Sequence, residues 1–129
     1  MRSRHLSRIV HRAPQDVYDV AADPDTLPRW AAGLAGGQAE REGDALVVHS
    51  PMGRVRVRFA ARNELGVLDH DVTLPSGATV HNPMRVLPHP EGAEVLFTLR
   101  QLDLSDEEFE RDVRMVEDDL DRLKRLVEG

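Results

Sequence analysis

Two residues in this chain combine a chemistry-bearing side chain with a place where side chains should be buried. His70 interrupts the alternating run Leu68, His70, Val72, Leu74, and Asn82 interrupts Ala78, Val80, Asn82, Met84. Leaving either polar group buried without a partner costs about 1–3 kcal/mol. One arrangement has them hydrogen-bond each other within an ordinary core. The other makes them polar anchors in an apolar pocket, which is how ligand sites fix orientation. Imidazole titrates near neutrality, so His70 is also the candidate for acid–base catalysis.

Other chemistries find little support. The chain has no cysteine, which removes disulfides, thiolate nucleophiles and Cys-ligated zinc. Its six histidines show no H-x-H or H-x-x-x-H spacing, so no metal site is expected. Gly36-Gly37 stands alone, with no phosphate-binding loop around it, and no Ser-His-Asp signature is present, so no cofactor is expected either. Arg54, Arg56 and Arg58 share one strand face, where Asp69 and Asp71 would neutralise them across a hairpin. A net charge of -6 opposes generic nucleic-acid binding, which draws its affinity from neutralised phosphates. No stretch approaches the ~20 apolar residues of a membrane span. Met1-Arg2-Ser3-Arg4-His5 is basic but has no apolar region after it, so a cytoplasmic location is expected.

The elements that must position these residues follow from patterning. At 129 residues a single domain, 1–129, is expected. Residues 4 to 12 read as a first strand, and Ala13-Pro14 opens a helix carrying Val17, Tyr18, Val20 and Ala21. Asp23-Pro24 reads as an N-cap and first position of a second short helix bearing Leu27 and Trp30. Residues Ala31 to Gly37 form a small-residue loop or the start of a weak strand, and strand two cannot be placed. Further on, Val55, Val57 and Phe59 alternate with the arginines, and pairing apolar faces sets Phe59 near Leu68 and Val57 near His70. That register puts Arg58 beside Asp69 and Arg56 beside Asp71, on the outer face. Pro75-Ser76-Gly77 is a hairpin loop that brings Asn82 opposite His70. After a turn at Pro88 to Gly92, Val95, Phe97 and Leu99 face the same core, with Met84 paired to Phe97. Ser105-x-x-Glu108 is a capping box before a helix whose stripe is Phe109, Val113, Val116, Leu120, Leu123 and Val127.

Two segments resemble a known superfamily. The strand leading into Ala13-Pro14-x-x-Val17-Tyr18, and Asp23-Pro24-x-x-Leu27-Pro28-x-Trp30, are similar to the entry motifs of START-like proteins, which include the Bet v 1 allergens and the polyketide cyclase/dehydrase-like proteins. The motifs occupy residues 9 to 30, while the element order matches over essentially the whole chain. The resemblance implies an α+β helix-grip fold, a curved antiparallel sheet wrapped around a long C-terminal helix with two short helices after strand 1. It also implies a cavity for a small apolar or aromatic molecule, lipid or polyketide-like, between sheet and helix. The parity of the strands aims Val57, His70, Asn82, Met84 and Phe97 at that cavity, Trp30 arrives from the short helices that close one end, and Val113, Val116 and Leu120 of the long helix close it. A cyclase/dehydratase-like enzyme using His70 as acid or base, and a protein-interaction module, are the alternatives. The chain is expected to be a monomer or homodimer.

Overall fold

Alternating stretches become antiparallel strands and the periodic tail becomes one long helix in the computed structural model, which describes residues 1–31, 38–50 and 53–129. The order is β1 (Ser3–Val10), α1 (Pro14–Ala21), α2 (Leu27–Trp30), β2 (Gln38–Glu42), β3 (Ala45–Ser50), β4 (Gly53–Phe59), β5 (His70–Thr73), β6 (Thr79–Asn82), β7 (Met84–His89), β8 (Gly92–Arg100) and α3 (Asp106–Glu128). This is the α+β helix-grip arrangement, with a curved antiparallel sheet, a long C-terminal helix and short helices after β1.

The strands form two groups, β1-β8-β7 and β2-β3-β4-β5-β6, but a single register joins them. Within β5–β6, His70 lies opposite Asn82 and Val72 opposite Val80. The same register continues as Leu68 N–H donates to the Met84 carbonyl and Val86 N–H to the Gly66 carbonyl, each at 2.9 Å, with Val67 bridging Arg85. Pro83 interrupts it, having no N–H to give the ladder. Asp69 stands opposite that gap, and its carboxylate accepts the Met84 N–H at 2.8 Å and pairs with Arg85.

The β4–β5 register differs from the expected one by two residues: Phe59 pairs with His70, Val57 with Val72, Arg58 with Asp71 and Arg56 with Thr73. A slip of two keeps every side chain on its face, so alternation cannot detect it. What decides the register is that Leu68 is already committed to Met84. The arginines do lie on the solvent side, with Val55 and Val57 buried between them. Their carboxylate partners are different, however. Arg54 and Arg56 reach Glu42 at 2.6 and 3.5 Å, and Arg58 reaches Asp44 at 3.2 Å. Asp71 instead binds His81 at 2.7 Å. The acids come from the β2–β3 hairpin, whose strands the sequence left unplaced; residues 32–37 lie outside the described residues.

The second helix also starts later than expected. Thr26, not Asp23, is its N-cap, and Pro28 sits in its first turn. The Asp23 carboxylate accepts the Asp25 N–H at 2.9 Å, closing a local turn, while the Thr26 hydroxyl donates to the Asp23 and Val20 carbonyls. β1 stops at Val10, two residues early.

On α3 the capping box forms in both directions, Glu108 N–H to the Ser105 hydroxyl at 3.1 Å and Ser105 N–H to the Glu108 carboxylate at 3.0 Å. Phe109, Val113, Leu120 and Leu123 are buried, with Val116 and Val127 packed at the margin. The helix is also zipped to β1 by charge: Arg4 to Glu110 at 3.2 Å, Arg8 to Asp121 at 2.7 Å, and Lys124 to the Ile9 carbonyl at 2.6 Å.

Candidate functional site

His70 opens β5 and is 8% exposed. Its Nδ1–H donates to the Leu68 carbonyl at 3.0 Å, and a carbonyl can only accept, so Nε2 carries the lone pair. The ring centroid lies 4.8 Å from that of Phe59 and 5.6 Å from that of Phe97, the latter edge-on. Burial pushes the imidazole pKa below its ordinary value, the Leu68 bond opposing only in part. At neutral pH His70 is therefore an uncharged base held between two aromatic rings. Asn82 is its half-buried neighbour across the ladder, but the Nδ1 bond goes to Leu68 and not to Asn82.

Phe59 is the link to open space. It lines a cleft of about 230 Å³ together with Val57 of its own strand and Leu46 of β3, with Leu27 of α2, Asp44 and Arg62 also in the lining. Leu46 and Val57 are direct partners in the β3–β4 register, so one sheet face supplies the floor. The rim is tied down by polar contacts. Arg62 pairs with Asp19 and its guanidinium lies 5.1 Å from the Tyr18 ring centre. The Tyr18 hydroxyl accepts the Asn63 N–H at 3.0 Å. Arg41 of β2 reaches Asp25 at 3.3 Å from the other side. Asn63 organises the loop behind the rim: its amide nitrogen donates to the Ala61 and Val67 carbonyls, and its oxygen accepts from the Leu65 and Val67 N–H groups. Gly66 then turns the chain at φ +73°, where a Cβ would collide with the Val86 carbonyl.

Of the residues expected around a cavity, Val57 lines this cleft, and His70 stands one ring behind it. Trp30, Met84, Phe97, Val113 and Leu120 are buried in the one core cluster, and Val116 packs against it. Met84 does pair with Phe97 across β7–β8. The α3 residues do not line this cleft, which opens toward α2 and the β3–β4 wing. Sequence reasoning missed Leu46, whose strand was unplaced, and Asp44, Arg62 and Asn63, which lie in connections where no periodicity operates. Phe59 was legible as the aromatic end of the arginine strand, and Leu27 by its helical spacing from Trp30.

Comparison with known proteins agrees with this architecture. Protein CV1439 of Chromobacterium violaceum superposes with a TM-score of 0.72 at 18% identity, covering 100% of this chain and 99% of that one. Bacillus halodurans protein BH1534 gives 0.74 at 12% identity, covering 99% and 98%. DynU16, from the dynemicin biosynthetic locus, gives 0.76 at 13% identity, and 98% of this chain covers 47% of it. At such identities the likeness concerns fold. No curated protein matches the chain, and among the described residues no helix is long and apolar enough to cross a membrane. The profile that does match, from residue 1 to residue 128, identifies the chain as a member of the polyketide cyclase / dehydrase and lipid transport family.

Proposed function

We propose that this protein binds a small apolar or aromatic molecule, lipid- or polyketide-like, in the cleft between α2 and the β3–β4 face. The observation that carries the proposal is the shared position of Phe59, which lines the cleft and also packs against the uncharged His70. The volume of about 230 Å³ falls below the roughly 300–1,000 Å³ of drug-sized ligand sites, which suits a one- or two-ring compound. The family description, which joins cyclases and dehydrases with lipid transport, supports an apolar ligand for either role.

His70 also favours a second reading, a cyclase- or dehydratase-like enzyme. A neutral imidazole with a free Nε2 lone pair is suited to take a proton from a carbon beside a carbonyl, provided the Phe59 ring swings aside. Native mass spectrometry of gently purified protein tests binding: a retained species of one or two rings is the expected result. A bare chain that also ignores added naphthalene-type probes would rule binding out. Catalysis requires turnover that follows one basic group and disappears in His70→Leu, whereas a carrier keeps its binding in that variant.

A further inference from the structure

Besides the cleft, a second hollow of about 200 Å³ opens between α1, β7 and the loop after β4, with Pro14, Tyr18, Leu65, Val86 and Pro88 in its lining. Its walls continue those of the cleft. On α1, Pro14 and Tyr18 line the hollow, while Ala22, the C-cap, lines the cleft. These residues are four apart, so they follow one helix face, and about 6 Å along the axis separates Tyr18 from Ala22. On the facing loop, Ala60, Ala61 and Arg62 line the cleft, and Asn63 to Gly66 line the hollow. The two openings therefore lie end to end along α1.

Arg62 forms the crest between them. Its guanidinium lies 5.1 Å from the Tyr18 ring centre and pairs with Asp19. The two paired side chains are 65% and 48% exposed, and ion pairs so exposed contribute little, so the crest parts at small cost. The Tyr18 ring stays in place behind it, held by the Asn63 N–H on its hydroxyl. Once the crest has parted, hollow and cleft together reach the roughly 300–1,000 Å³ of drug-sized ligand sites, which neither reaches alone.

We propose that the hollow is a second subsite of one groove, and that the ligand carries an aromatic head in the cleft and a neutral alkyl chain that passes Tyr18 into the hollow. This deepens the binding reading above and rests on it. Pro14, Leu65, Val86 and Pro88 offer the hollow's chain apolar contact. Leu65, 79% exposed, gains there the cover it otherwise lacks. A chain ending in a carboxylate fits poorly, because the described lining includes Glu64 and no lysine or arginine.

The test locates the chain directly. The full protein, ¹³C-labelled at its methyl groups, is titrated with 2-acetylnaphthalene and, separately, with 2-hexanoylnaphthalene, the same head on a longer chain. The ring protons of both probes should show nuclear Overhauser contacts to Leu46 and Val57, and the chain protons of the longer one to Leu65 and Val86. The longer probe should bind at least about tenfold more tightly, since each fully buried methylene is worth about fourfold. Leu65→Asp, at an exposed position, should cut that advantage by about threefold or more and leave 2-acetylnaphthalene binding within about twofold. Binding without chain contacts to Leu65 and Val86, or a chain-length advantage that Leu65→Asp leaves untouched, would overturn the second subsite and leave the binding reading intact. Failure of both probes to bind would take down the binding reading and the second subsite together.

Discussion

In the wing formed by β1, β8 and β7, a 23-residue helix lies along the sheet, whereas the β3–β4 face of the other wing meets the four residues of α2. The lengths explain the difference. Four helical residues extend about 6 Å, against about 23 Å for the seven residues of β4. The long helix fills its side with Phe109, Val113, Leu120 and Leu123 and locks the edge with β1 arginines. The short one leaves a cleft over Leu46, Val57 and Phe59. The cleft over β3–β4 thus lies where the covering helix is short, while the second hollow, of about 200 Å³, sits between α1, the loop from Asn63 to Gly66, and Val86 and Pro88 of β7.

The sharpest way to break this comparison is a pair of matched truncations. Leu120→Ala, under α3, should cost about 2–5 kcal/mol in urea denaturation, transfer and cavity terms together. Leu46→Ala, beside existing space, should cost about 2 kcal/mol, since it mainly loses the transfer contribution. If Leu46→Ala proves the costlier of the two, the wings do not differ as described. Gly66→Ala tests the seam between them: with φ at +73° and the Val86 carbonyl in the way, a loss of about 1–3 kcal/mol is expected from the same measurement.

Acid should separate the wings in sequence. Burial lowers the His70 pKa, so as pH falls below about 6.5 the unfolded chain takes up a proton that the folded chain refuses. Stability should fall in that window by at most about 1.4 kcal/mol per pH unit from this group, and His70→Leu should flatten the dependence measured by urea midpoints. Glu128 behaves oppositely. The His11 main-chain N–H, followed by Lys124, lowers its pKa to about 2. The stability it confers is therefore complete above its ordinary value and is lost as pH falls toward 2. Hydrogen exchange along an acid titration should show β5 opening before the end of α3. Exchange in the reverse order would contradict the assignment.

The smallest effect belongs to the rim. Arg62→Ala removes an exposed ion pair with Asp19 and should change stability by less than about 1 kcal/mol. Stopped-flow uptake of an apolar probe should nevertheless become faster, because the rim loses its tie to α1. An unchanged uptake rate would show that Arg62 does not control access.

Legibility in the sequence followed one-sided burial, in both wings. The α3 stripe, its capping box, the His70–Asn82 pairing and the Met84–Phe97 pairing could all be read because one buried face imposes a period. β3 could not, since Ala45, Leu46, Val47 and Val48 are all buried and show no alternation. Val47 lies beside Arg56 in register, on the face where long arginine stems cover apolar surface. The two-residue slip of β4–β5 escaped for a different reason, since parity is blind to it. Asp23-Pro24 carries the same residues in a turn as in a helix start, and only the Thr26 hydroxyl bonds distinguish them. The cleft followed no pattern at all, because it results from the shortness of α2 and from the loop that Asn63 holds.

The pairing of Ser3 with Arg100 has a bearing on how the chain is made. Strands β2 to β6 join neighbours in sequence, so they can close as local hairpins soon after emerging from the ribosome. β1 must wait for β8, and at ribosomal speeds of about 5–20 residues per second that delay is roughly 5–20 s. Contacts so distant in the chain also close slowly. During synthesis the alternating strand Ser3–Val10 is therefore a free edge, protected from promiscuous pairing by its own arginines.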